Sequence, residues 1–314
     1  MYDLSFILPV RIDNDDRLHN LHCSLSFIRK NFPNAETVIV EDSSKKKLES
    51  FMGEFPEMKY SYVENFGRFT KSVTVNNGAL IASGKYLVIY DLDVLINPEA
   101  IFKSVKICNR GVKSFIIPHN AIFVNVSGDT KMKLVKTLDI SPIPQIQSLT
   151  QRITNPDIKI FNIPSGIVFI NREVFLHNGG LNKLMVSYGW EDIEVLKRMA
   201  KIGFYPYVLG KYNVIHLDHE RGEDSKVNEY YAGNKAEFIK VKKMSKSNLE
   251  AYIDQKLSFC DNMGNRMHVI RRNQALMNRF YFSYGEYVLN HIVHHIKIRG
   301  IRGFLLYFLK KFGG

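Results

Sequence analysis

Asp91 and Asp93 stand two residues apart in the stretch 85–99, KYLVIYDLDVLINPE. Two carboxylates so close repel each other unless a cation joins them. Hard oxygen ligands suit Mg2+ or Mn2+, ions that commonly bridge to substrate phosphates. Isolated Asp-x-Asp pairs are frequent in surface turns, so the neighbours of this one decide its weight. Before it, Tyr86-Leu87-Val88-Ile89-Tyr90 is an unbroken apolar run, too short for an ordinary helix. It reads as a strand buried on both faces. Behind it, Asn97 as N-cap, Pro98 at the first helical position and Glu99 in the first turn start a helix. Acids at the carboxyl end of a buried strand sit where open α/β sheets bind ligands.

Other chemistry-bearing residues stand at the ends of other elements. Thr37-Val38-Ile39-Val40 runs into Glu41-Asp42, Tyr188-Gly189-Trp190 into Glu191-Asp192, and a β-like segment 205–215 into His216-Leu217-Asp218-His219. Each has a plain structural reading when taken alone. Glu191-Asp192 suits a helix N-terminus whatever its function, Trp190 suits a core, His216 a satisfied histidine, Glu41-Asp42 a turn, and Arg11 a solvated surface. The His216/His219 pair resembles part of a zinc site, but no third soft ligand lies nearby in the chain.

The elements that must position these residues alternate. Strands are expected at 4–8, 37–40 and 59–63, with helices at the Leu18, Leu21, Leu25, Ile28 stripe, at 45–53 and at 70–82, the last stopped near Gly84. Strands at 115–118, 122–126 and 167–170 follow, the last behind Ser165-Gly166. A long loop is expected near the site at 137–157, a turn at Asn178-Gly179-Gly180, and a helix to about 202 ended by Gly203. The alternation predicts an α/β fold, an open, mostly parallel sheet flanked by helices with right-handed crossovers. No Gly-x-Gly-x-x-Gly and no P-loop pattern occurs, so dinucleotide and P-loop binding have no support.

Composition sets the outer bounds. The chain has 314 residues and a net charge of +12, and the charge is uneven: residues 226–314 hold 16 Lys and Arg against 6 Asp and Glu. The break near 225 predicts two parts, 1–225 and a basic helical extension 226–314. Residues 225–256 read as helical. The extension, with its apolar and basic residues mixed between 287 and 312, reads either as a cap on the core or a dimer partner, or as a peripheral anchor on an anionic membrane. It carries no recognised nucleic-acid module. No signal peptide and no run of 18 apolar residues is visible, and Cys23, Cys108 and Cys260 are too far apart for a disulfide framework. A cytoplasmic protein, peripheral on the inner face of the membrane if the tail binds there, is the expectation.

In order along the chain, Phe6-Ile7-Leu8-Pro9-Val10-Arg11, Val38-Ile39-Val40-Glu41-Asp42, Asp91-x-Asp93, Asn178-Gly179-Gly180, Gly189-Trp190-Glu191-Asp192 and His216 together resemble a nucleotide-sugar glycosyltransferase of the GT-A fold. The resemblance is to family 2 enzymes and to the galactosyltransferase-like module of capsule and chondroitin-type polymerases, and it covers roughly residues 3–222. It implies Asp93 and His216 as metal ligands, His219 as a substitute, and Asp91 nearer the ribose or sugar hydroxyls. Pro9, Arg11, Glu41 and Asp42 match the rim of the uridine pocket. Lys71, or Arg68, matches a basic donor contact, with Gly166 on the donor side. Asp192 matches the catalytic base of inverting members, with Glu191 and Trp190 at acceptor positions. Many relatives have Gly-Gly before the acid pair, where Trp190 stands here. The expected activity is Mn2+- or Mg2+-dependent transfer of a sugar from a UDP-sugar to a glycan or lipid-linked glycan hydroxyl, in surface or capsular polysaccharide synthesis. The alternatives are a retaining transferase of the same fold and a non-catalytic sugar- or nucleotide-binding relative.

Overall fold

Side chains alternate across a strand, and here both faces of the central strands are apolar, so the sheet must be covered on both sides. The computed structural model describes residues 3–257 except 112 and 164, together with 259, 292, 293, 295–300 and 303. In chain order its elements are β1 (Leu4–Val10), α1 (Asp15–Asn31), β2 (Glu36–Ser43), β3 (Lys59–Glu64), α2 (Lys71–Ile81), β4 (Tyr86–Tyr90), β5 (Val94–Ile96) and α3 (Pro98–Asn109). Then come β6 (Phe115–Ile117), β7 (Ile122–Val126), α4 (Gly128–Thr137), β8 (Ile158–Asn162), β9 (Ile167–Asn171), α5 (Arg172–His177) and α6 (Glu191–Lys201). β10 (Tyr207–Val208), β11 (Val214–Leu217), α7 (Tyr231–Lys243) and α8 (Lys246–Tyr252) complete the series.

Seven strands form one sheet in the order β10-β6-β9-β4-β1-β2-β3. β3, β2, β1 and β4 are parallel neighbours, and β9 enters antiparallel to both β4 and β6. The expected α/β architecture holds, and the alternation within β1 shows why. Phe6 and Leu8 pack with Leu21, Leu25 and Ile28 of α1 and Ile101 of α3 on one face. Ile7 packs with Val75 and Ala79 of α2 on the other. Val241, Leu249, Tyr252, Ile253 and Leu257, from beyond the charge break, join that second layer.

The structure departs from expectation in three places. A second sheet, β5-β11-β7-β8, stands beside the first. Its strands are short, and β5, β7 and β11 are buried on both faces like those of the first sheet, so the sequence alone did not separate it. Residues 45–53 hold only one 3-10 turn, 51–54, in place of a helix. The loop expected near the site packs instead over the second sheet. There Ile146 is buried with Val124 and Leu134, and part of the loop walls a separate cavity of about 490 Å³. α4, just before it, buries only Leu134 and so shows no apolar stripe in the sequence. Most of the basic segment 287–312 lies outside the described residues.

Candidate active site

A cavity of about 290 Å³ opens at the carboxyl ends of β1 and β4, where the two sheets meet. The chain passes from one sheet to the other through Asp91-Leu92-Asp93. Asp91 N–H donates to Gly166 O at 2.9 Å, and Leu217 N–H of β11 donates to Asp93 O at 2.8 Å. Gly166 has φ of +96°, and a Cβ there would meet Phe123 Cζ at 2.5 Å, so only glycine fits beside Asp91.

Asp93 faces the second sheet. Its Oδ2 lies 2.9 Å from His219 Nε2 and 3.9 Å from His216 Nε2. Asp93, His216 and His219 each offer a ligand atom within 4.8 Å of the others. His219, ranked behind His216 in the sequence, is thus the nearer of the two. His216 Nδ1–H donates to Asn125 Oδ1 at 2.6 Å, and His219 Nδ1–H to Glu220 O at 2.7 Å. These acceptors fix the tautomers and turn both Nε2 atoms toward Asp93.

Asp91 faces the other way. Lys71, the first residue of α2, bridges Asp91 Oδ1 at 2.9 Å and Asp192 Oδ2 at 3.2 Å. Glu191 and Asp192 open α6, and Pro9, Arg11, Gly166, Glu191 and Asp192 all line the cavity with the two aspartates, Lys71 and His216.

Four of the expected site residues do not line it. Glu41 is fully buried and accepts from Ser43 Oγ, Tyr60 OH and the backbone N–H groups of Lys47 and Leu48. Asp42 is buried too. It pairs with Arg11 and accepts from Thr70 N–H and Oγ–H at the start of α2. Arg68 pairs with Glu223 and Glu229 on the surface. Trp190 stacks on Phe238 at 5.0 Å between ring centroids, with Tyr231 beside it. Glu41 and Asp42 end a strand beside the cavity, but each reaches into a neighbouring layer. The sequence reading missed Arg17, Arg221, Tyr188 and Asp224, which do line the cavity. No local motif marks them; only long-range folding brings them there.

The profile of the family described as Glycosyltransferase like family 2 matches residues 5–213. The chain belongs to that family. No curated protein matches it in sequence. Among solved structures, the catalytic domain of Drosophila β1,4-galactosyltransferase 7 in complex with xylobiose is similar at 14% identity and a TM-score of 0.41, over 75% of this chain and 80% of that one.

In this glycosyltransferase burial and neighbouring charges set the ionisation of the site together. Burial raises Asp91, against the pull of Lys71 and with the push of Asp192 and Asp93, to about 6. Burial and the Asp192 charge raise Glu191 to about 7. Burial would also raise Asp93, but the His219 hydrogen bond and the charges of His216 and Arg17 hold it well below the usual range. Burial lowers His216, whereas Asp93 overcomes burial and raises His219. Lys71 stays charged, since Asp192, Asp91 and Glu191 outweigh its desolvation. The glycosyltransferase therefore holds a carboxylate–imidazole group and a lysine-bridged acid group in one crevice, joined through Asp91-Leu92-Asp93.

Proposed function

We propose that this glycosyltransferase moves one sugar from a UDP-sugar to a hydroxyl of a glycan acceptor, free or lipid-linked, with inversion at the anomeric carbon and with Mn2+ or Mg2+ required. The observation that carries the reading is the convergence of Asp93, His216 and His219 with Lys71 and Asp192 in a single cavity. The resemblance to capsule and chondroitin-type polymerases points to a growing surface polysaccharide as acceptor.

The donor set fits a dication. Both imidazoles are anchored through Nδ1–H, and Asp93 Oδ2 lies 2.9 Å from Nε2 of His219 and 3.9 Å from Nε2 of His216. Two nitrogens and one oxygen suit Mn2+ better than Mg2+, which prefers oxygen alone. Such an ion, when bound, acts as a Lewis acid on the leaving diphosphate.

The chain's own groups do the rest. Asp192 stands in the first turn of α6 and lines the cavity. As general base it takes the proton of the attacking hydroxyl. Lys71 fixes that carboxylate and Asp91 on one side of the cavity. Arg11, tied to Asp42 and Asp224, walls the nucleoside end together with Pro9. Glu191 and Tyr188 line the acceptor side, and Trp190 supports them from behind.

UDP release measured over common UDP-sugars with Mn2+ tests the reading. Asp93→Ala and Asp192→Asn should each lower turnover by about 10²–10⁴-fold, and NMR of the product should show the inverted anomer. Unchanged turnover in both variants would sink the assignment. Tight UDP binding with no turnover in the wild type would make the chain a binding relative.

A further inference from the structure

Beside the metal, a donor diphosphate calls for a side-chain cation, and most of those lining the cavity are already committed. Arg11 spends its guanidinium on Asp42 O at 2.9 Å, Gly67 O at 2.7 Å, Asp224 Oδ2 at 3.2 Å and the Asp42 carboxylate. Lys71, the residue expected from the sequence to touch the donor, is held between Asp91 and Asp192. Arg221 lies on the exposed loop after His219. Arg17 is different. Its side chain is 12% exposed, and its Nε is buried without a hydrogen bond among the described residues. Asp13 Oδ1 lies 3.7 Å away, close enough for charge balance but beyond hydrogen-bond reach.

The position of Arg17 is also fixed. It lies in the first turn of α1, whose N-cap Asn14 donates through Nδ2 to Glu220 O at 3.3 Å. A Cβ at Gly222 would meet Asp13 Oδ2 at 2.2 Å, so the loop 219–222 presses directly on the start of α1. Arg17 and His219 both line the cavity, and the charge of Arg17 acts on Asp93. Arg17 lines the cavity, and among the described residues no carboxylate lies within hydrogen-bond reach of its guanidinium, whose terminal N–H groups and planar fork match phosphate oxygens.

We infer that Arg17 is the side chain that binds the diphosphate of the donor and takes up its charge as the sugar leaves, while Lys71 serves as the positioning residue of the acid group. This rests on the UDP-sugar reading above. The signal was invisible in the sequence, where Arg17 is one of several charges at the start of an amphipathic helix.

Calorimetric titration of the intact protein with UDP and with uridine, in the presence of Mn2+, tests the assignment. Arg17→Gln should weaken UDP binding by about 10- to 100-fold, the loss typical of a charge-assisted hydrogen bond, and leave uridine affinity unchanged. It should lower kcat as well, and Arg17→Lys should recover part of both. UDP affinity equal to wild type in Arg17→Gln overturns the inference. So does equal weakening of UDP and uridine, which would mark a structural role. Wild-type protein that binds neither compound would overturn the donor reading itself, and this inference with it.

Discussion

The two histidines beside Asp93 show how one side chain acts through another. Asn125 accepts from His216 Nδ1–H and donates through Nδ2 to Asp218 Oδ1 at 3.1 Å, so its amide orientation is set from both ends. Partners of this kind orient a metal-binding imidazole and raise its basicity. Asn125→Leu should therefore weaken Mn2+ binding by about 10- to 100-fold, read by electron paramagnetic resonance of the free ion. Affinity equal to wild type would place the ion away from His216. At this scale the sequence was most legible where residue type and element end coincide, as at Asp91 and Asp93 after β4 and Asp192 in the first turn of α6. It misled at Glu41, because a carboxylate at a strand end looks the same whether it faces the cavity or turns back onto Tyr60 and the loop below.

At the scale of elements, the site depends on how the strands and helices are tied. α6 starts without a side-chain cap, and the residues before it carry positive φ: Ser187 at 58°, Gly189 at 104° and Trp190 at 78°. A tryptophan in the left-handed region is strained, and its packing on Phe238 and Tyr231 holds it there. Behind the turn, the fully buried Arg198 pairs with Glu194 and donates to the carbonyls of Asn178 and Gly180, locking α6 to the Asn178-Gly179-Gly180 turn.

The opposite end of the sheet is tied by Glu36. It accepts from Ser5 Oγ, from Ser83 N–H at 2.7 Å and Oγ–H at 2.9 Å, and pairs with Lys59 at 2.5 Å. Burial opposes its ionisation, but these donors outweigh burial and bring it from 4.5 to about 2. A depressed folded-state value means stability that is present above the unfolded value and lost as pH falls from 4.5 toward 2. The contribution is at most about 3 kcal/mol, and less because Lys59 is half exposed. Urea midpoints taken between pH 7 and pH 3 should thus fall more steeply for the wild type than for Glu36→Gln. Parallel slopes would contradict this role.

For the molecule as a whole, charge and core divide the chain differently. We propose the division at 225 as one of surface charge, since the apolar side of 231–257 shares a core with α2, α5 and α6. The outer side of this stretch exposes Lys235, Lys240, Lys242, Lys243 and Lys246, with Ile239 38% exposed among them. Among the described residues no helix is long and apolar enough to cross a membrane. We propose that this face meets the surface of an anionic bilayer, where each lysine would add to the attraction and salt would screen it. Flotation with anionic vesicles should show binding at low salt that high salt removes. The triple change Lys242→Glu, Lys243→Glu, Lys246→Glu should weaken it, and binding to neutral vesicles alone would defeat the idea.

The sequence by itself determined the alternating elements, the buried strand that ends in the acid pair, and the family, because hydrophobic period, caps and strand-end acids are local properties. Only the tertiary structure decided which charges meet. The second sheet brings His219 to Asp93, α2 places Lys71 between two carboxylates, and the loop 219–222 pins Arg17 at the cavity wall. Apart from Lys71–Asp91, these contacts join residues more than a hundred positions apart, and no spacing along a chain encodes a meeting that depends on the order and packing of its strands.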